Sequence, residues 1–445
     1  MSANSSTPQQ IDLLIHARWL IPVTEPGLVL ESHSVAIKDQ RIVAVCESQQ
    51  ARAEFHALEE VQLGEHALIP GLVNTHGHSA MTLMRGIADD TPLKEWLEQH
   101  VWPLEAQFVA REYVYQGASL AIAEMLASGT TTFADMYFFP DEVGRAATDA
   151  RMRVQLASPV LDFPTVWASN ADEYIDKATQ LHDDFRNNEL VSMAFGPHAP
   201  YTVSDAPLNK IITLAEELDV PVHMHVHETA QEVADAISAD GRRPLQRLAA
   251  LGVISPRLVC VHATQLLPEE MQQLAELGAS VVHCPESNLK LASGFCEVAK
   301  LMEHEVNVAL GTDGCASNND LDMFGEMRSA ALLAKAVAGD ASALPAYQAL
   351  EMATINGARA MGMDADIGSI EAGKLADLTA VSLDNINSWP LHNPVSQLVY
   401  SSHATQVSHV WVGGRLVVQD GDLRTLDKAL LKQQSGEWQQ AMSGR

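Results

Sequence analysis

Basic residues are scarce in this 445-residue chain: 28 Lys and Arg stand against 57 Asp and Glu, a formal charge of −29 at pH 7. A field of that sign repels phosphate backbones and anionic lipid surfaces, which argues against nucleic acid and membrane as partners. Cysteine is sparse too. Cys46, Cys260, Cys284, Cys296 and Cys315 are odd in number, scattered and without C-x-x-C spacing, so neither a disulfide framework nor a cysteine zinc site fits. No apolar run reaches the roughly 18 residues that a bilayer span requires. The polar start, Met1 to Gln10, has neither the basic nor the apolar region of a secretory leader. A reducing cytoplasm is the expected location. No G-x-G-x-x-G follows the first strand-like run, which argues against a dinucleotide-binding open sheet.

What is present fits a large domain plus a smaller one. Hydrophobic residues make up 47% and charged residues 19%, enough apolar matter for a sizeable core. The first segment reads as short strands and turns. Ser34 to Val45 has two alternating arms around a polar turn, and Val407 to Val418 repeats that pattern around Gly413-Gly414. Both ends therefore look all-β, and residues 11–67 with 367–425 are expected to join as one small β-sandwich. Between them, apolar runs alternate with stretches of helical spacing. Eight runs end near His76, Tyr137, Asp162, His198, Glu228, Thr264, Asn288 and Asp313. Eight β-then-α units over about 250 residues match the size of a (β/α)₈ barrel. The barrel is expected over residues 68–366, with a helical tail over 426–445.

Active sites of such barrels lie at the C-terminal ends of the strands. Those ends carry His76 and His78 on the first run and His198 on the fourth. The fifth closes on His223-Met224-His225-Val226-His227-Glu228, the sixth contains His262, and the eighth ends in Asp313. Side chains alternate along a strand, so His76 and His78 leave one face together. With one histidine of the fifth run and Asp313 they offer three nitrogens and an oxygen to a single metal ion. Periodicity does not choose among His223, His225 and His227, which share a face. No lysine lies in the fourth run, Val191 to His198, to bridge a second ion as a carbamate.

At this point the chain resembles a family. The stretches Pro70 to His78, His225 to Thr229, Gly311 to Gly314 and Gly373 to Leu378 are similar to the amidohydrolase superfamily. Glu95-Trp96-Leu97, Pro103-Leu104-Glu105, Phe195 to His198 and Ser287 to Leu291 are similar to its 5′-methylthioadenosine/S-adenosylhomocysteine deaminases, a resemblance that runs from about residue 11 to 420. It implies a ligand set of His76, His78, His225 and Asp313 around one divalent ion, usually zinc, with iron or manganese as substitutes. It implies that Glu105 binds the ribose hydroxyls, that His198 contacts the substrate and that His262 helps to position the attacking water. Asp313 takes a proton from that water, and Glu228, three residues past His225, delivers one to N1 of the adenine ring. Taken by itself, Glu105 looks like a surface helix glutamate; Trp96 either walls the purine or packs.

The implied reaction replaces the 6-amino group of 5′-methylthioadenosine by oxygen with release of ammonia. Adenosine and, less well, S-adenosylhomocysteine are further expected substrates. Relatives that accept the homocysteine tail carry an arginine near the end of the third run, where alignment by eye puts Ser158; Arg151, Arg153 or a partner subunit's arginine are its possible replacements. Other readings are a guanine, 8-oxoguanine, cytosine or triazine hydrolase on the same metal site, and a non-catalytic scaffold barrel. A homodimer or higher homo-oligomer is the expected assembly.

Overall fold

The computed structural model describes residues 8–443, the Lys94 side chain aside; residues 1–7 of the polar start and the last two of the tail lie outside the described residues. Two sheets organise the chain. The N-terminal part gives β1 (Gln9–Leu20), β2 (Leu30–Lys38), β3 (Arg41–Glu47) and β4 (Phe55–Pro70). Eight shorter strands follow: β5 (Leu72–Asn74), β6 (Thr130–Asp135), β7 (Arg153–Val160), β8 (Val191–Pro197), β9 (Val222–Val226), β10 (Leu258–His262), β11 (Ser280–His283) and β12 (Asn307–Leu310). The C-terminal part adds β13 (Leu378–Ser382), β14 (Val407–Val412), β15 (Arg415–Gln419) and β16 (Asp422–Leu423).

Strands β5 to β12 lie side by side in sequence order, every pair parallel. The edges meet where the Thr75 N–H donates to the Leu310 carbonyl (2.9 Å) and the Asp313 N–H to the His76 carbonyl (3.0 Å). This is the expected barrel. Its strands are buried on both faces, as in the wholly buried Leu258–His262, because helices wrap the outside and side chains fill the centre. The seventh run differs from its sequence reading. Its strand ends at His283, and Asn288 lies in a short helix, Pro285–Lys290, that begins at a proline.

Residues from both ends form one sheet in the order β16-β15-β14-β13-β4-β1-β2-β3. It curls back on itself: the Ile42 N–H reaches the Lys374 carbonyl and the Gly373 N–H the Ile42 carbonyl, both at 2.8 Å. The expected sandwich therefore takes the form of a single curled sheet. Leu13, Ile15, Val35 and Ile37 from one half meet Leu378, Ala380 and Trp411 from the other in its core. Three of its hairpins turn at Asp39-Gln40 (φ 48° and 70°), Gly413-Gly414 (φ 54° and 72°) and Asp420-Gly421 (φ 53° and 80°), the left-handed pairs that suit a two-residue turn.

The passage from this sheet into the barrel falls at Gly71. A Cβ there would sit 2.1 Å from Thr131 Oγ1, so only glycine lets the two strands approach. Beyond the first strand, a short helix (Leu93–Glu95), a π-turn (Trp96–Val101) and a third helical piece (Trp102–Phe108) lie over the barrel mouth. The C-terminal helix, Lys428–Ser443, packs on Arg111–Ala127, where the Trp438 indole N–H donates to Gln116 Oε1 at 2.7 Å. No helix among the described residues is long and apolar enough to cross a membrane.

Candidate active site

Three imidazoles and a carboxylate converge at the top of the barrel. His225 Nε2 lies 3.2 Å from His76 Nε2, and Asp313 Oδ1 lies 3.4 Å from His76 Nε2 and 3.2 Å from His78 Nε2. One ligand atom each of His76, His78 and His225 falls within 4.8 Å of the others. Tetrahedral ligands about 2.05 Å from a metal stand roughly 3.3 Å apart, so these spacings fit a divalent ion at the centre.

The opposite ring nitrogens support that fit, since metal-binding histidines are usually oriented by a bond through the other nitrogen. His78 Nδ1 bonds the Met136 carbonyl at 2.6 Å, His225 Nδ1 the His198 carbonyl at 2.8 Å, and His76 Nδ1 meets His223 Nε2 at 2.9 Å. Burial pushes the His76 imidazole down to about 4 and His225 well below its ordinary value, so each is neutral and able to offer a lone pair. Burial alone would raise the Asp313 carboxyl, but its bonds with His76 and His78 outweigh this and hold it well below the carboxylate range.

The structure separates the three histidines that alternation could not. His225 faces the centre and His223 stands behind His76. His227 lies past the end of β9 at φ 54°, where its Nε2 accepts the Leu245 N–H at 3.2 Å. Asp313 is fixed by residues that sequence reasoning did not assign. Ser287 and Ser317 donate to Oδ2 at 2.6 and 2.8 Å, leaving Oδ1 toward the histidines. Ser287 lay within a motif already singled out, so its position was a usable signal.

A cavity of about 650 Å³ opens onto this cluster, with His78, His225, His262, Glu228 and Asp313 at its floor. Glu228 Oε1 stands 4.0 Å from His262 Nε2, and His262 Nδ1 meets Asn288 Oδ1 at 2.8 Å. Burial raises the Glu228 carboxyl above the ordinary glutamate value; His262 opposes the shift and Asp313 adds to it. His198 borders the same cavity, its imidazole pushed down to about 4 by burial.

Glu105 is no surface residue. The helix Trp102–Phe108 carries it into the cavity wall, where it is 9% exposed and accepts the Tyr137 hydroxyl at 2.7 Å. Tyr137, at the exit of β6, went unassigned in the sequence although it closes a barrel run. Trp96 is buried and lines the cavity beside Leu97 and Val101.

Ser158 does not belong to the site. Along β7 it shares the outward face of Leu156 and Val160, which pack on the helices, while its neighbour Pro159 lines the cavity. Neither nearby arginine replaces it. Arg151 precedes β7 and Arg153 begins it, at the end of the barrel opposite the cavity, and Arg153 Nε pairs with Asp377 Oδ2 at 3.0 Å. No Lys or Arg among the described side chains lines the cavity.

Comparison with known proteins gives the chain a family. The model of the amidohydrolase family matches residues 67–417. A 5-methylthioadenosine/S-adenosylhomocysteine deaminase of Saccharophagus degradans is 49% identical over 428 residues, 96% of each chain; one of Teredinibacter turnerae is 48% identical over 98% of each. Among solved structures, an adenosine deaminase from Xanthomonas campestris with bound zinc superposes at TM-score 0.97 and 50% identity, covering 98% of this chain and 100% of that one. An atrazine chlorohydrolase from Arthrobacter aurescens, at 23% identity and TM-score 0.90 over 96% and 99% of the two chains, shares the fold alone. With three histidines that could hold a metal ion clustered at its barrel mouth, the chain belongs to the amidohydrolase family, on its 5-methylthioadenosine/S-adenosylhomocysteine deaminase branch.

Proposed function

We propose that this protein is a metal-dependent hydrolytic deaminase that converts 5′-methylthioadenosine to 5′-methylthioinosine and ammonia, and that also takes adenosine and, less well, S-adenosylhomocysteine. The observation that carries this reading is one cavity floored by His78, His225 and Asp313, with His76 buried against them and two carboxylates, Glu228 and Glu105, on its walls. The zinc of the Xanthomonas campestris adenosine deaminase supports zinc as the native ion. A divalent ion held there lowers the pKa of water from about 15.7 to about 7 and so makes a nucleophile available at neutral pH.

The protein's own residues do the rest. Asp313 Oδ1, turned inward by the two serines, accepts a proton from the attacking water. His262, its Nδ1–H held by Asn288 Oδ1, turns Nε2 toward that water as an acceptor and fixes its approach. Burial favours the neutral form of Glu228, which therefore carries a proton to purine N1 and makes C6 electrophilic. The water oxygen bonds C6; Glu228, now ionised, carries the remaining hydroxyl proton to the amino nitrogen, the C6–N bond breaks to release ammonia and leave C6=O, and the proton taken up by Asp313 restores neutral Glu228. Glu105 accepts the two ribose hydroxyls as a bidentate carboxylate. His198 contacts the purine, and Trp96 walls it.

The apolar walls around Leu161, Phe163 and Val166, with no cationic neighbour among the described side chains, suit a methylthio tail better than a charged homocysteine. A deaminase of free bases would leave Glu105 without a ligand, and a scaffold would have no use for all four metal positions. Small-molecule nucleosides are thus the partners. Five free cysteines suit a reducing cytoplasm, and we extend the reading to a homodimer or higher homo-oligomer.

The test incubates purified zinc-loaded protein with adenosine, 5′-methylthioadenosine, S-adenosylhomocysteine, guanosine and free bases. Ammonia and the ultraviolet shift from 6-amino to 6-oxopurine are followed. Turnover of 5′-methylthioadenosine is the expected result; turnover of free bases alone, or of nothing, overturns the proposal.

A further inference from the structure

Proton delivery by Glu228 depends on where its backbone stands, and that backbone has left the sheet. The ladder of β9 ends at Val226, and His227 turns into the left-handed region at φ 54°. Two amide hydrogens, those of His227 and Glu228, therefore emerge with no strand to accept them. One side chain takes both. Glu232 Oε1 accepts the His227 N–H at 3.0 Å and Oε2 the Glu228 N–H at 2.7 Å. Glu232 sits in the first turn of the helix Ala230–Asp240, and its own N–H is held by Thr229 Oγ1 at 3.1 Å. On the other side of Glu228, in its next peptide unit, Thr264 Oγ1 donates to the Glu228 carbonyl at 2.7 Å.

The consequence is a division of labour. The backbone of Glu228 is held on both sides from two elements, the helix after β9 and the segment after β10, while its carboxyl stands 4.0 Å from His262 Nε2. A proton shuttle needs that combination: a fixed pivot and a side chain free to swing between ring nitrogen and leaving group. A glutamate in the first turn is also a common helix cap. Here its two oxygens reach past the cap residue Thr229 to the two amides before it, which capping of the helix alone does not require.

We propose that Glu232 is a positioning residue for the proton step, fixing Glu228 through its backbone; this rests on the deaminase reading above. In Glu232→Gln one acceptor oxygen becomes an NH₂ that faces an N–H, so one of the two amides is released.

The experiment compares wild type, Glu232→Gln and Glu232→Ala, each checked for metal content and thermal unfolding. Hydrogen exchange of the peptide covering residues 222–232 is expected to quicken in both variants. A displacement of about 1 Å at a catalytic group is worth about 100-fold, so kcat on 5′-methylthioadenosine should fall by about that factor with KM little changed. 6-Chloropurine riboside supplies the discriminating arm. Water adds at C6 and chloride departs with the bonding pair, so its leaving group needs no proton. The loss on it should be about tenfold smaller than on the 6-amino substrate.

Unchanged exchange, unchanged kcat, an equal loss on both substrates, or a loss matched by missing metal would each overturn the proposal. Should wild type release no ammonia from any nucleoside, the functional reading fails instead. The exchange arm then still decides whether Glu232 clamps the two amides.

Discussion

The Tyr137 hydroxyl donates to Glu105 Oε1 at 2.7 Å inside the cavity wall, so a strand-exit phenol from β6 aims a carboxylate carried by the helix over the mouth. Hydrogen bonds to charged groups are worth about 1.5–3 kcal/mol. Tyr137→Phe should raise KM for adenosine and 5′-methylthioadenosine about tenfold or more and leave kcat within about twofold. Steady-state kinetics on both substrates check this; a fall in kcat with constant KM would contradict the ribose-binding role of Glu105.

Burial lifts the Glu105 carboxyl from 4.5 to about 7, with Tyr137 pulling the other way. Folding therefore takes up a proton at this site. The stability it contributes is fully present below the unfolded value and is lost as pH rises through about 7. Glu105→Gln removes that dependence. The Tm of the variant, relative to wild type, should climb between about pH 5 and pH 8 in calorimetry. A constant difference across that range would show that the buried carboxyl does not titrate there.

Strand periodicity made the barrel and most of its floor legible, because histidines and carboxylates do not otherwise gather at the ends of apolar runs. His76 lies two residues beyond β5 and Asp313 three beyond β12, close to where the runs were seen to end. Alternation stopped short at the fifth run. It gives His223, His225 and His227 the same face, and only a left-handed turn at a non-glycine residue removes His227. Nothing in a histidine announces that turn. Glu105 was illegible for another reason: its burial comes from a helix folded over the barrel mouth, a tertiary contact that helical spacing does not encode. Ser158 was illegible in a third way: strand pairing alone sets which face it takes, and on β7 it shares the face of Leu156 and Val160 while the cavity holds Pro159.

His223 holds His76 from behind, with 2.9 Å between Nε2 and His76 Nδ1. Replacing such a partner typically costs about 10–100-fold in metal affinity. His223→Ala should weaken zinc binding by that factor in a chelator competition, and excess zinc should restore deamination. His225→Ala, which removes a proposed ligand, should leave activity that no zinc concentration rescues. Equal metal affinity of His223→Ala and wild type would refute the supporting role.

The described cavity walls bring no cation to a homocysteine carboxylate, and desolvating that charge without a partner is costly. kcat/KM for 5′-methylthioadenosine should exceed that for S-adenosylhomocysteine by about tenfold or more, a difference of about 1.4 kcal/mol. Val166→Arg, on the wall beyond β7, should narrow the gap by raising the S-adenosylhomocysteine value. A wild-type preference for the charged substrate would mean that a cation reaches the site from elsewhere.

Asp377, in the closing Gly373-Lys374-Leu375-Ala376-Asp377-Leu378 stretch, joins the two sheets. Its Oδ2 meets Arg153 Nε at 3.0 Å at the foot of β7, and its Oδ1 accepts the Gly413 N–H of the β14–β15 turn at 2.6 Å. The pair is 8% and 2% exposed, so neither charge has water to fall back on. Arg153→Met would strand a buried carboxylate and should cost about 3–5 kcal/mol, whereas pairing it with Asp377→Leu should recover part of that loss. Urea denaturation of the two single variants and the double variant measures the coupling. Since the ion pair lies at the opposite end of the barrel from the cavity, kcat/KM of the folded Arg153→Met protein should stay near wild type. A stability loss below about 1 kcal/mol would place the bond between barrel and terminal sheet in their apolar contacts, with Asp377 retained for the Gly413 turn.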